Sequence, residues 1–189
     1  MFDEHALRVI EYPLVRSLIA RNAVSGMGHD LVESTTPMTD HISLERRMKE
    51  VDEMVQAVRW GDPVPMRGVV DIRQPVELAA HPGALLDPPS LLDIAQTLEA
   101  AGRLRGYFAA RTQKYPRLEA ISSALEPCPE LVTAISRAID PGGFVRDSAS
   151  PALAKTRREL EQARSNLRAN LERLVHSLAS DVLTERVVA

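Results

Sequence analysis

Apolar positions recur along this chain at helical spacing, and prolines and glycines cut the pattern into segments. The clearest stripe is Leu44, Met48, Val51, Val55 and Val58, at spacings of 4, 3, 4 and 3. Glu45, Arg46, Lys49, Glu50, Asp52 and Glu53 fill the other faces. The spacing predicts an amphipathic helix, capped by Thr39 or Asp40 and ended by Gly61-Asp62-Pro63-Val64-Pro65. A second stripe, Leu91, Ile94, Leu98, Ala101, Leu104 and Phe108, predicts a buried helix face entered through Asp87-Pro88-Pro89. Shorter helices are expected over 13–23 (Leu14, Leu18, Ile19) and, after Ser25-Gly26, to about residue 33. Others follow over 71–80, over 117–125 on Leu118, Ile121 and Leu125, and over 129–139 on Leu131, Ile135 and Ala138. Phe144 and Val145 read as half of a small hairpin.

The longest pattern comes last. Leu153, Leu160, Leu167 and Leu174 repeat every seven residues, with Ala163, Leu171, Leu178 and Val182 beside them. Ser148 or Ser150 can cap this segment, and Pro151 suits a first helical turn because its missing N–H is no loss there. A helix over 151–189 would run roughly 55 Å, against about 30 Å for a small domain. Its seam is narrow, which calls for one long partner helix, returning from its own chain or supplied by another subunit. The expected fold is therefore all-α. A helical core of short helices over 1–150 precedes one long projecting helix over 151–189, with at most a small β-hairpin near 143–147.

Composition supports that division. All 13 Pro and all 9 Gly lie at or before Pro151. Leucine and alanine, 22 and 23 residues, far outnumber the 7 aromatics, which favours helices over a β-sandwich. Net charge is −3, so no global basic signal points to nucleic acid. Cys128 is the only cysteine, which excludes a disulfide framework and a cysteine-built zinc site and fits a reducing compartment. No run of 18 apolar residues exists, and Met1-Phe2-Asp3-Glu4-His5 is acidic where a signal peptide is basic. A cytoplasmic location and no membrane partner are expected.

The search for chemistry is mostly negative. No phosphate-loop motif is present, and Gly26-Met27-Gly28 lacks the third glycine and preceding strand of a dinucleotide site. His5, His29, His41, His81 and His176 show no metal-ligand spacing. Cys128, between Pro127 and Pro129, has no base partner in the sequence. We therefore expect no catalytic, cofactor or metal residues. Two features remain. The stretch from Gly142 to Pro151 reads as a tight turn and capped helix entry, with a ligand loop as the functional alternative. The last helix carries Lys155, Arg157, Arg158, Arg164, Arg168 and Arg173 against Glu159, Glu161 and Glu172. Arg157, Arg158, Arg164 and Arg168 are the candidate nucleic-acid contacts, set against a solvated helix face in which Arg and Glu simply interleave.

Arg146-Asp147-Ser148-Ala149-Ser150-Pro151 leading into Leu153-Ala154-Lys155-Thr156-Arg157-Arg158-Glu159-Leu160 resembles the bacterial MutS paralogues of type two, the branch with a C-terminal Smr nuclease domain. Val70-Asp71-Ile72-Arg73-Gln74-Pro75 is similar to that family's Asp-(Ile/Leu)-Arg-Pro turn, with Gln74 inserted before the proline. The Gly83-Ala84-Leu85-Leu86 to Gly102-Arg103-Leu104 block and the opening helices, Ala6 to Ala20 and Pro37 to Trp60, agree in order. The resemblance implies the N-terminal core and ascending lever of a MutS-type clamp, truncated before the clamp. It implies a whole protein that is a homodimeric ATPase and endonuclease using ATP and Mg. Such a protein binds branched DNA or stalled ribosomes, suppressing recombination and rescuing ribosomes. The partners of this segment would then be its own clamp and ATPase domains, and its role mechanical. The alternative is a free-standing helical protein–protein interaction module.

Overall fold

The structure is a computed structural model that describes residues 3–60 and 63–177. It is all-α among the described residues, as the apolar spacing predicts. In chain order it comprises α1 (Glu4–Val9), α2 (Tyr12–Ala20), α3 (Gly26–Glu33), α4 (His41–Trp60), α5 (Arg73–Ala79), α6 (Pro88–Ala109), α7 (Pro116–Ser122) and α8 (Pro129–Ala138). A 3₁₀ turn (Asp147–Ala149) then leads into α9 (Pro151–Ser177). The anticipated hairpin reduces to one antiparallel bridge, Ile139 with Val145. Part of the break after α4, Gly61-Asp62, lies outside the described residues, as do Leu178, Val182 and the rest of 178–189.

Two compact units divide after Ser136, ahead of the proline at 151 where composition changes. The physical reason is that the 3₁₀ turn packs against α9, so the residues before Pro151 group with the long helix.

In the first unit, α4, α6 and α7 meet around Ala57, Phe108, Tyr115 and Leu118, with Met54, Val64, Leu104 and Tyr107 packed against them. Phe108 sits edge-on between Tyr107 and Tyr115, at centroid distances of 5.0 and 6.3 Å. Ile94, Ala95 and Ala100 extend the buried face of α6. Asp87 caps α6 by accepting from the Ser90 N–H at 3.2 Å, and Pro88 occupies its first turn. Asp40 caps α4 in the same way, through the Ser43 N–H at 2.8 Å. The Ser25 hydroxyl caps α3, which packs on α2.

Several expected burials differ: Leu14, Leu18 and Ile19 of α2 and Leu131 of α8 are exposed. Ile121 of α7 is exposed and Ser122 is buried instead, its hydroxyl donating to the Glu119 carbonyl at 3.0 Å. More consequentially, the Leu44–Met48–Val51–Val55–Val58 stripe stands in solvent, from 40% exposed at Val55 to 68% at Val58. Helix α4 packs through another face. Ala57 is fully buried, Met54 is half-buried, and Glu53, at 12% side-chain exposure, is turned toward α7.

Candidate nucleic-acid interface

Helix α9 forms because its residues are strong helix formers without Gly or Pro after Pro151, and because its start is doubly specified. The Ser150 hydroxyl accepts from the Leu153 N–H at 3.1 Å, and Pro151 stands at the first helical position. At about 1.5 Å per residue the 27 described residues run roughly 40 Å. Leu153, Ala154 and Arg157 near its start are half-buried, whereas every residue from 158 to 170 is exposed. Leu160, Leu167 and Leu174 are 49%, 60% and 59% exposed, so the seam has no cover along most of the described helix.

Arg157, Arg164 and Arg168, at i, i+7 and i+11, share one helix face, while Arg158 stands about a quarter-turn away. Their engagements differ. Arg157 turns back toward the start of the unit: its Nη1 donates to the Val145 carbonyl at 2.9 Å and also to the Asp147 carboxylate. The Arg158 Nε donates to the Ala154 carbonyl at 3.1 Å. The Arg164 guanidinium lies 3.4 Å from Glu161. Lys155 is 3.8 Å from Glu159, and Arg173 bonds the Ala169 carbonyl and the Asn170 side chain. The face is thus a set of cations held mainly by their own helix, with carboxylates interleaved.

The stretch 100–118 holds Arg103, Arg105, Arg111, Lys114 and Arg117 with no acidic residue among them, a run that periodicity gave no reason to single out. The structure spends these charges on its own architecture. Arg103 donates to the Arg67 carbonyl at 2.6 Å and Arg105 to the Leu125 carbonyl at 3.2 Å. Arg111 stacks over Tyr107 at 4.0 Å, Lys114 lies 5.1 Å from the Tyr115 ring, and Arg117 is 3.9 Å from Glu53. Arg103 and Arg105 fasten loops to α6.

The strongest exposed electrostatic cluster joins α3 to the start of α5. Arg73 bonds Asp71 at 2.5 Å and Asp30 at 2.6 Å across 43 residues. The guanidinium holds the Asp71 carboxyl down to about 2, helped by the Arg73 backbone N–H, and lowers Asp30 as well. The sequence marked Asp71 and Arg73 as a turn; the third partner, Asp30, carried no local signal. Cys128 is exposed with positive φ, its thiol 3.7 Å from the Glu126 carbonyl. Among the described residues no group of His, Cys, Asp or Glu is arranged to hold a metal, and no helix is long and apolar enough to cross a membrane.

No protein-family model matches the chain. The protein named Endonuclease MutS2 from Symbiobacterium thermophilum is 33% identical over 186 residues, 98% of this chain and 23% of that protein. The Pelotomaculum thermopropionicum protein of the same name is 36% identical over 175 residues, and the one from Clostridioides difficile 30% over 178. Each comparison covers 93% of this chain and 22% of the relative, so the chain spans under a quarter of the length of the relatives it matches.

Proposed function

This chain is a MutS2-family sequence corresponding to a segment of much longer relatives, and from that premise we propose that it is the core and lever portion of a MutS-type ATPase. In this reading the whole cytoplasmic protein engages branched DNA or stalled ribosomes as a homodimer and draws on ATP and Mg in its other domains. These 189 residues supply scaffold and strut rather than catalysis. Residues 1–150 would serve as the core and 151–189 as the lever.

The observation that carries the reading is α9. It is capped, with Leu153, Ala154 and Arg157 half-buried near its start, and from residue 158 to 170 every residue is exposed. A stiff helix anchored at one end transmits displacement, and it offers no concave surface for chemistry. The basic face fits the same role: Arg157 and Arg158 are tied to backbone carbonyls, and Arg164 lies beside an acid of the same helix. Surface charges so arranged add little attraction for phosphate beyond ordinary screening.

The test uses the full 189-residue chain and a fluorescent four-way DNA junction, with binding followed across a salt series. Replacing Arg157, Arg158, Arg164 and Arg168 by Ala is expected to leave affinity and salt slope nearly unchanged. A loss of more than about tenfold, with a shallower slope, would make these residues phosphate contacts. The same preparation should hydrolyse no ATP above blank; sustained turnover would sink the strut reading.

One observation favours the interaction-module reading. The stripe on α4 has the 4-3-4-3 spacing of a coiled-coil face, and it stands exposed among the described residues. Concentration-dependent sedimentation of the chain separates the two: tight, stoichiometric self-assembly supports the module.

A further inference from the structure

We infer that Arg157, Val145 and Asp147 form a clasp that joins the 138–149 turn and the first turns of α9 into one rigid piece, so that Pro151 is not a hinge. A helix joined to a short 3₁₀ turn through the backbone alone would leave the soft dihedrals of residues 148–150 to bend, since only Pro151 has its φ fixed.

Three kinds of tie cross or brace this junction. Arg157, about two turns into α9, reaches back over Pro151 to the Val145 carbonyl at 2.9 Å and to the Asp147 carboxylate. A planar guanidinium engaging two acceptors fixes direction as well as distance. The acceptor side is itself held. Val145 bridges Ile139, the Arg146 N–H donates to the Ala138 carbonyl at 2.8 Å, and the Arg146 Nε to the Ile139 carbonyl at 3.3 Å. Inside the turn, the Asp140 carboxylate accepts from the Gly142 and Phe144 N–H groups at 2.9 and 3.0 Å. Between the two, Ser150 accepts from Leu153 through its side chain and from Ala154 through its carbonyl, at 3.1 Å each. Ile139, the bridge partner of Val145, is buried. A displacement of α9 is therefore delivered to the 138–149 turn instead of being absorbed at Pro151. Arg157 acts as a positioning residue.

The inference deepens the strut reading and rests on it for its purpose, but its test does not depend on DNA or ATP, so the two fail separately. The full chain carrying Cys128→Ser, Phe144→Cys and Gln162→Cys is spin-labelled, and the label–label distance distribution is measured by pulsed EPR. One narrow distance is expected with Arg157 in place. Arg157→Ala should broaden it about twofold with helicity retained by circular dichroism. Asp147→Asn, which spares the Val145 bond, should broaden it less. A broad distribution with Arg157 present, or an unchanged width in both variants, overturns the clasp.

Discussion

Glu53 caps a helix to which it does not belong, and its removal has a calculable cost. Helix α7 starts at Pro116, and Tyr115 before it offers no side-chain acceptor, so the Arg117 and Leu118 N–H groups need one from elsewhere. The Glu53 carboxylate accepts both, at 3.0 Å each, from a position only 12% exposed. Losing an N-cap costs roughly 0.5–2 kcal/mol, and leaving a partly buried donor unpaired costs roughly 1–3. These overlap, since they count the same N–H groups, so Glu53→Ala should cost about 2 kcal/mol. Glu53→Gln keeps an acceptor but loses the charge-assisted part and should cost about 1. Urea denaturation followed by circular dichroism reads both, and the alanine variant should also melt roughly 6 °C lower. The comparison within the pair matters more than either number: packing loss alone would spare the glutamine variant. Both variants unfolding within about 0.5 kcal/mol of wild type would refute the cap and, with it, this account of how α4 holds α7.

Three other outcomes are expected. Arg73→Ala should return the Asp71 carboxyl from about 2 toward the ordinary aspartate value near 3.9, read by carboxyl-carbon NMR titration. A depressed folded-state value stabilises above the unfolded value and is lost as pH falls through the folded one. The stability gap between wild type and Arg73→Ala should therefore narrow from about pH 4 down to about pH 2, and a gap constant across that window counts against the pair. Val51→Asp with Val58→Asp should cost under about 1 kcal/mol, the helix-propensity penalty, because both side chains are in solvent. A loss above about 3 kcal/mol would mean that the stripe is buried inside the chain. Leu160→Asp with Leu167→Asp should leave the unfolding midpoint in place, because both side chains are in solvent; a loss above about 3 kcal/mol would mean that the seam is covered within the chain.

Helices were legible from sequence because the period of apolar residues reports which face is apolar. It does not report which face meets a neighbour. On α6 the two coincide, and Ile94 and Phe108 are buried as the stripe predicts. On α4 they part: the valines stand in solvent, while Ala57 and a carboxylate make the contact with α7. Alanine is small enough for close helix approach, and Glu53 supplies acceptors that no valine could, but neither leaves a periodic signal. Asp40 and Ser150, whose partners lie three residues on, were readable as caps, whereas Ser25 and Asp87, with partners at the same distance, read only as a break and a helix entry. Contacts were unreadable where the partner lies across the fold, as with Glu53 or Asp30. Arg157 belongs with the latter. In sequence it is one cation in a basic row, and only the turn that brings Val145 beside it makes it a clasp.

The exposed stripes bear on what kind of molecule this is. An isolated exposed leucine needs no explanation, since much of any protein surface is apolar. Five apolar side chains in coiled-coil register on α4, and three leucines at heptad spacing on α9, are different, because helical register turns scattered contacts into one continuous face. Each stripe lies on a helix whose anchoring is assigned to other residues: Glu53 and Ala57 on α4, Ser150 and Arg157 on α9. The residues that anchor each helix are thus separate from its exposed apolar register. Such a separation is the form expected of a component. That form fits relatives more than four times the length of the matched region.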